Sequence, residues 1–269
     1  MKKIITYLIV LIGAVIFLYP FLWMISATFK PEMEIPAIGL IPRHFSLSSY
    51  KNVFLKIPIL RSFLNSVFVS LCVTSSVLVF SSMVGYALSR LEFRGRKLLF
   101  AIILFTMMVP FQITLIPNYI LMVKFHWTDT YLALIVPGMV SAFGVLLFTQ
   151  FFKSVPQSVI DAARIDGCSE FAVLFKIVWP LSKPVLITVA ILTFMANWNS
   201  VLWPLIVVRQ RALMTMPQLV TIFAVGGQAE GQLGVKLAAA VLLALPVVLL
   251  YSFFQRYFIE SMATSGLKG

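Results

Sequence analysis

The chain has 269 residues, 61% of them hydrophobic and 11% charged, with 21 Lys and Arg against nine Asp and Glu. A water-soluble domain carries about 25% charged residues, so this composition excludes an ordinary soluble enzyme, and equally a disordered or collagen-like chain. Two cysteines and two histidines exclude a disulfide scaffold and a Cys- or His-rich metal module.

Six segments contain no Lys, Arg, Asp or Glu: Ile4–Phe29, Leu64–Ser89, Leu98–Val123, Tyr131–Phe152, Pro184–Val208 and Leu237–Gln255. A helix rising about 1.5 Å per residue needs about 20 residues to cross a bilayer core. The sequence therefore predicts an all-α membrane protein with six transmembrane helices in one domain, residues 1–269. Uninterrupted apolar runs exclude a β-barrel, whose strands alternate. The first run is too long for a signal-peptide core and no small-x-small site follows it, so it is read as a true span.

The loop Lys30–Phe63 contains Pro31, Pro36, Pro42 and Pro58. It reads as an extended segment with one short helix around Ser49–Phe54. In span two, Ser70, Thr74, Ser81 and Gly85 share a face suited to helix packing or a dimer seam. In span three, Pro110, Thr114 and Asn118 share a face, with Gln112 and Pro117 nearby. In span five, Thr193, Asn197 and Ser200 do the same, with Asn199 beside Trp198 and with Trp203-Pro204 following. Amides cost energy against lipid and face a bundle interior. Gln112, Asn118, Asn197 and Asn199 are thus candidate substrate-pathway residues, and interhelical hydrogen bonding is the other reading. The prolines are expected to kink their helices. The loop Arg209–Lys236 holds an apolar stretch, Met216–Val225, expected as a short surface or re-entrant helix, and a glycine-rich tip, Gly226–Gly234.

Basic residues orient the spans. With both termini on the cytoplasmic side, the inner loops hold twelve Lys and Arg and the outer side nine, with four in the short Arg90–Lys97 turn. These charges flank apolar spans one loop at a time. They read as topology signals and lipid contacts, not as a nucleic-acid surface. Cys72 lies mid-span and Cys168 in a loop, so they are not expected to pair. His44 and His126 lie outside the spans, where no ligand role is expected.

The loop Lys153–Lys183 is the most patterned. Pro156 suits a first helical position. Asp161-Ala162-Ala163 continues that helix, and Asp166-Gly167 stops it, since glycine takes the left-handed cap. Ser169 caps a second helix with Glu170 in its first turn. Phe171, Leu174, Phe175 and Val178 form an apolar stripe at helical spacing, and Pro180 is expected to end it.

Asp161-Ala162-Ala163, three residues, Gly167, nine residues, Ile177, one residue, then Trp179-Pro180 resembles the EAA motif, Glu-Ala-Ala-x3-Gly-x9-Ile-x-Leu-Pro, of ABC importer permeases. Asp161 replaces Glu and Trp179 replaces Leu without disturbing the spacing. Gly85-Tyr86-Ala87-Leu88-Ser89-Arg90 with Phe93-x-Gly95-Arg96, Met108-Val109-Pro110, Trp203-Pro204-Leu205 and the Lys268-Gly269 ending are similar to the MalG-like, binding-protein-dependent carbohydrate branch. The tail departs at Glu260-Ser261-Met262, where the family usually has a glycine. The resemblance implies a type I importer permease. Its cytoplasmic coupling helix would dock in an ATPase cleft through Asp161, Ala162, Ala163, Asp166, Gly167, Cys168 and Glu170, and Lys268 in the tail would approach the ATPase interface. It implies a second homologous permease, two ATPase subunits that use ATP and Mg, and an extracytoplasmic binding protein that delivers a carbohydrate or polyol.

The residues fit a passive permease half. No span carries an ionisable side chain of the kind coupled carriers use. The chain contains no Gly-x4-Gly-Lys-Ser/Thr nucleotide loop and no clustered acid, base or metal ligand. It is expected to be no enzyme, to hold no cofactor of its own and to bind no nucleic acid. The alternative is a stand-alone secondary carrier or channel for a small polar solute.

Overall fold

A computed structural model describes residues 2–37, 39–225 and 232–266. Its helices are, in chain order, α1 (Lys2–Ala27), α2 (Ser48–Lys56), α3 (Ile59–Arg90), α4 (Arg96–Thr106), α5 (Phe111–Lys124), α6 (Tyr131–Ile135), α7 (Ala142–Phe152), α8 (Gln157–Ile165), α9 (Glu170–Leu181), α10 (Lys183–Trp198), α11 (Leu202–Val207), α12 (Met216–Val225) and α13 (Leu233–Gly266). Four stretches are long and apolar enough to cross a membrane, and up to six if each of two bent pairs is one span.

Span three breaks at a proline, as its sequence leads one to expect. Span three is α4 followed by α5, turned by 98°. The turn is wound by three-residue bonds: the amides of Met107, Met108 and Val109 donate to Leu104, Phe105 and Thr106. Pro110 then takes an extended conformation, ψ 134°. Proline supplies no N–H and disfavours a helical Val109 before it, so the helix stops there. The second bent pair, α9 and α10, turns by 89°. Span four is interrupted by a 3-10 turn at Val136–Gly138 between α6 and α7. Span five breaks at Asn199 before α11.

The chain forms two compact units, one of residues 1–63 and 215–250, the other of 64–214 and 251–269. In the first, α1 is apolar all round and its window is 0% buried, as expected of a helix whose solvent is lipid. Phe29 stacks on Phe45 at 5.4 Å and tilts against Tyr50 at the same distance. The Glu32 carboxylate accepts from the amides of Leu233 and Gly234 and so caps the start of α13. A Cβ on Gly234 would lie 2.5 Å from Ser49 Oγ, which fixes the approach of α13 to α2. The helix expected around Ser49–Phe54 is α2. The Met216–Val225 helix is α12, with Met216, Pro217, Gln218, Leu219, Val220 and Phe223 buried, which corrects the surface alternative. The tip residues 226–231 and Lys268 lie outside the described residues.

In the second unit the small face of α3 packs on α7, as its composition predicts. Ser81 Oγ accepts from the Ser141 amide at 3.0 Å and donates to its carbonyl at 3.3 Å. A Cβ on Gly85 would sit 2.6 Å from Phe148 Cβ and 3.1 Å from the Thr149 amide nitrogen. Glycine therefore sets the helix–helix distance here. Beside this contact, Ser70 and Thr74 are buried with hydroxyls that have no partner. At the other end of α3, Asn65 donates to the carbonyls of Ala212 and Met214 and accepts from Tyr131. Both its amide hydrogens and its oxygen are engaged inside the unit.

Candidate functional site: the loop between α7 and α10

The loop is built from two local stop-and-start signals. α8 begins after Pro156, which is extended at ψ 130° and lies just outside the helix, one position earlier than expected. It ends in a Schellman turn: the Gly167 amide donates to Arg164 O and the Cys168 amide to Ala163 O, both at 3.0 Å. Gly167 has φ +80°. No neighbour lies within 4 Å of the position a Cβ would take, so backbone conformation alone demands glycine here. Ser169 then caps α9, its Oγ accepting from the Ala172 amide at 3.3 Å.

α9 departs from the expected plain amphipathic helix. Its middle, Val173–Val178, is a π-helix, and the helical run passes through Pro180 to Leu181. A π winding bonds to the fifth residue back and relieves the clash of a proline ring with the fourth carbonyl, so Pro180 does not end the helix. The same winding shifts the buried stripe. Val173, Leu174 and Val178 are buried while Phe171 is 62% exposed. Leu174 and Val178 of the expected stripe are thus buried and Phe175 is half-buried, while Phe171 gives its place to Val173.

The charged side chains of the loop form one connected network with the end of α3. Tyr86 OH donates to Glu170 Oε2 at 2.5 Å. Arg164 clasps the same carboxylate with Nε at 2.8 Å and Nη2 at 3.3 Å, and reaches Asp161 Oδ1 with Nη1 at 3.4 Å. Gln157 Nε2 donates to Asp161 at 2.9 Å, and Gln157 Oε1 accepts from Arg90 Nη1 at 2.7 Å. Arg90 also donates through Nε to Phe152 O at 3.0 Å and through Nη2 to the carbonyls of Phe152 and Val155. Arg90 thus adds to the last carbonyl of α7, which also accepts from the Val155 amide at 3.1 Å. The two-pronged Arg164 clasp, with the Tyr86 hydroxyl beside it, holds the Glu170 carboxyl below the usual carboxylate range and Arg164 more firmly charged.

Of the residues singled out from the sequence, Asp161, Ala162, Asp166 and Gly167 are exposed, Cys168 and Glu170 are half-buried, and Ala163 is buried. One face of the loop is therefore open and the other is bonded inward. Ile165, 86% exposed, and Phe171 lie in the open set. Sequence reasoning missed Tyr86, Arg90, Gln157 and Arg164. The one available signal was that Tyr86 and Arg90 stand four apart at the end of an apolar span, on one helix face.

The pathway candidates are placed differently. Gln112 is exposed and Asn118 half-buried on α5. Asn197 Nδ2 donates to Thr193 O at 3.0 Å, and Asn199 Nδ2 to Met195 O at 2.9 Å, each within its own helix. Among the described residues no hydrogen bond joins the α5 amides to those of α10. Trp198 and Trp203 are buried, and Trp203 Nε1 donates to Ala133 O at 2.8 Å. Neither indole presents an open face to a solute in this conformation.

Residues 54–264 match the family described as "Binding-protein-dependent transport system inner membrane component". The chain belongs to this family. It is 38% identical over 262 residues to the arabinooligosaccharides transport system permease protein AraQ of Halalkalibacterium halodurans, covering 95% of this chain and 93% of that one. It is 30% identical to the lactose transport system permease protein LacG of Rhizobium radiobacter, covering 98% and 96%. A crystal structure of a bacterial ABC transporter involved in the import of the acidic polysaccharide alginate contains a chain that superposes with a TM-score of 0.82 at 26% identity, covering 96% of both. This inner membrane permease is therefore a multi-pass ABC transporter subunit, all-helical, and the EAA-like spacing lies inside the matched region.

Proposed function

We propose that this chain is one permease half of an ATP-driven importer for a carbohydrate or related polyol. The observation that carries the reading is the loop of α8 and α9: an exposed Asp161–Gly167 surface on a glycine-capped turn, braced from behind by side chains of α3. Such an element presents a shaped surface to a partner and resists deformation when pushed. It would dock on an ATPase subunit at the cytoplasmic face and pass on that subunit's opening and closing. Ala162 and Gly167, being small, allow close backbone approach. The partner would supply ATP and Mg, and a second permease of the same family would complete the translocation path. An extracytoplasmic binding protein would deliver the solute to the opposite face. The sugar class rests on relatives named for arabinooligosaccharides, lactose and trehalose transport. Hydroxyl-rich solutes suit neutral amide partners, and the spans carry no charge.

The test is purification of the tagged chain from its native membrane. An ATP-binding subunit and a second permease are expected to co-purify, and vesicles holding the complex are expected to take up sugar only with ATP inside the binding-competent compartment. Recovery of a homo-oligomer alone, active without ATP, would establish a stand-alone carrier or channel instead.

A further inference from the structure

The loop is pinned to α3 by Trp179 Nε1, which donates to Ser82 Oγ at 3.1 Å, and by Tyr86 and Arg90. Residues 91–95 then turn the chain from α3 into α4, with Gly95 at φ +87° just before Arg96. Two clefts meet at this turn. One, of about 540 Å³, lies between the turn and α8, and its walls include Arg90, Glu92, Arg96, Gln157 and Arg164. The other, of about 630 Å³, is walled by Phe93, Lys97 and Leu98 and shares Glu92 and Arg96 with the first. The first cleft is mostly polar and the second mostly apolar. Phe93 and Leu98 are 42% and 66% exposed, so large apolar side chains stand open beside a guanidinium group.

The three arginines differ in the donors they have left. Arg90 spends its guanidinium on Gln157 and on the carbonyls of Phe152 and Val155. Arg164 clasps Glu170 and reaches Asp161. Arg96 makes one bond among the described residues, from Nη1 to Leu91 O at 3.2 Å. Its Nε and Nη2, the edge that grips an oxyanion in a fork, are uncommitted.

The position of the turn narrows the ligand. α4 is apolar from Leu98 to Thr106 and none of its residues is buried, so the turn lies where hydrocarbon gives way to headgroups. An anion from water would need the polar cleft alone. A phospholipid fits both, with its phosphodiester in one and its first methylenes in the other. Glu92, in the shared wall, opposes a bare anion. It accepts a hydrogen bond from a glycerol or ethanolamine headgroup, which choline cannot donate.

We propose that the paired clefts bind one phospholipid in the leaflet on the loop's side, with Arg96 on the phosphodiester, Glu92 on a headgroup hydroxyl, and Phe93 and Leu98 along the chain. Three guanidinium groups against the Glu92 carboxylate select an anionic glycerol headgroup over a zwitterionic one.

The full chain, purified from its native membrane with its bound subunits, is titrated with phosphatidylglycerol, phosphatidylethanolamine or phosphatidylcholine, and bound lipid is counted by native mass spectrometry. Phosphatidylglycerol is expected to be retained at about tenfold lower concentration than phosphatidylcholine, with phosphatidylethanolamine between them. Arg96→Gln should remove the preference. Arg96→Lys keeps the charge that orients the span but loses the fork, and should keep about a third of it. Arg94→Gln, outside both clefts, should leave it unchanged. A phosphatidylglycerol with a diazirine near the top of its acyl chain should crosslink to the wild-type chain within residues 93–98. Equal retention of phosphatidylglycerol and phosphatidylcholine, an unchanged preference in Arg96→Gln, an equal loss in Arg94→Gln, or crosslinks confined to other helices would each overturn the site. Displacement of phosphatidylglycerol by inorganic phosphate would assign the polar cleft to a soluble anion and overturn the lipid.

Discussion

The loop of α8 and α9 and the amide-bearing stretch of α10 handle polar groups in opposite ways. In the loop, Tyr86, Arg90, Gln157, Asp161, Arg164 and Glu170 come from separate elements and satisfy one another across them. In α10, Asn197 and the adjacent Asn199 each return a bond to a carbonyl four residues back in the same helix. Cross-element bonds fix one arrangement of the loop against α3. A bond returned to its own helix satisfies the donor whatever the helix packs against, so these two amides place no constraint on which neighbour α10 meets. The comparison separates polar groups that fix an element against its neighbours from polar groups that are satisfied within one helix.

The largest expected effect falls on the seating beneath the rigid element. Gly85→Leu forces α3 from α7 and should destabilise the purified chain by about 1–3 kcal/mol, read as a fall in its detergent melting temperature. If melting is unchanged, the α3–α7 contact does not support the loop. Next comes Gly167→Val, which places a branched side chain at φ +80° at a cost of about 1–2 kcal/mol and should abolish most ATP-driven uptake. Gly167→Asn tolerates that conformation and should keep it. Equal loss in both would assign the defect to the partner surface and not to the turn.

Acid should loosen the loop and spare α10. The Glu170 carboxyl titrates below its unfolded value, so its contribution is complete above that value and disappears as pH falls through the lower folded one. ATPase affinity should therefore drop below about pH 4.5, and the drop should be absent in Glu170→Gln. Ser81→Ala, which removes the paired bonds to Ser141, should cost about 0.6 kcal/mol. The smallest effect belongs to α10: Asn199→Ala should change stability by less than about 0.5 kcal/mol while raising KM for the solute. An unchanged KM removes Asn199 from the pathway.

Legibility followed the range of the interactions. The Asp166-Gly167 stop and the Ser169 cap were readable because a turn is decided by residues within about five positions. The α3 packing face was readable because Ser70, Thr74, Ser81 and Gly85 repeat at helical spacing. The stripe of α9 was readable at Leu174 and Val178 but not at its first member, Phe171, which is exposed while Val173, at the start of the π turn, is buried. The role of Tyr86 was not readable, since its partner Glu170 lies 84 positions away.

The sequence by itself determined where lipid can be the solvent, because a charge-free run of about 20 residues has no cheaper environment. It also determined where the loop turns, because a left-handed residue and a hydroxyl cap act over single bonds. Tertiary structure decided that Met216–Val225 is buried, and that Ser82, Tyr86 and Arg90 of α3 hold a loop that connects other spans. Those outcomes depend on which helix face meets which neighbour, and that is settled only when distant segments pack and donors on one meet acceptors on the other.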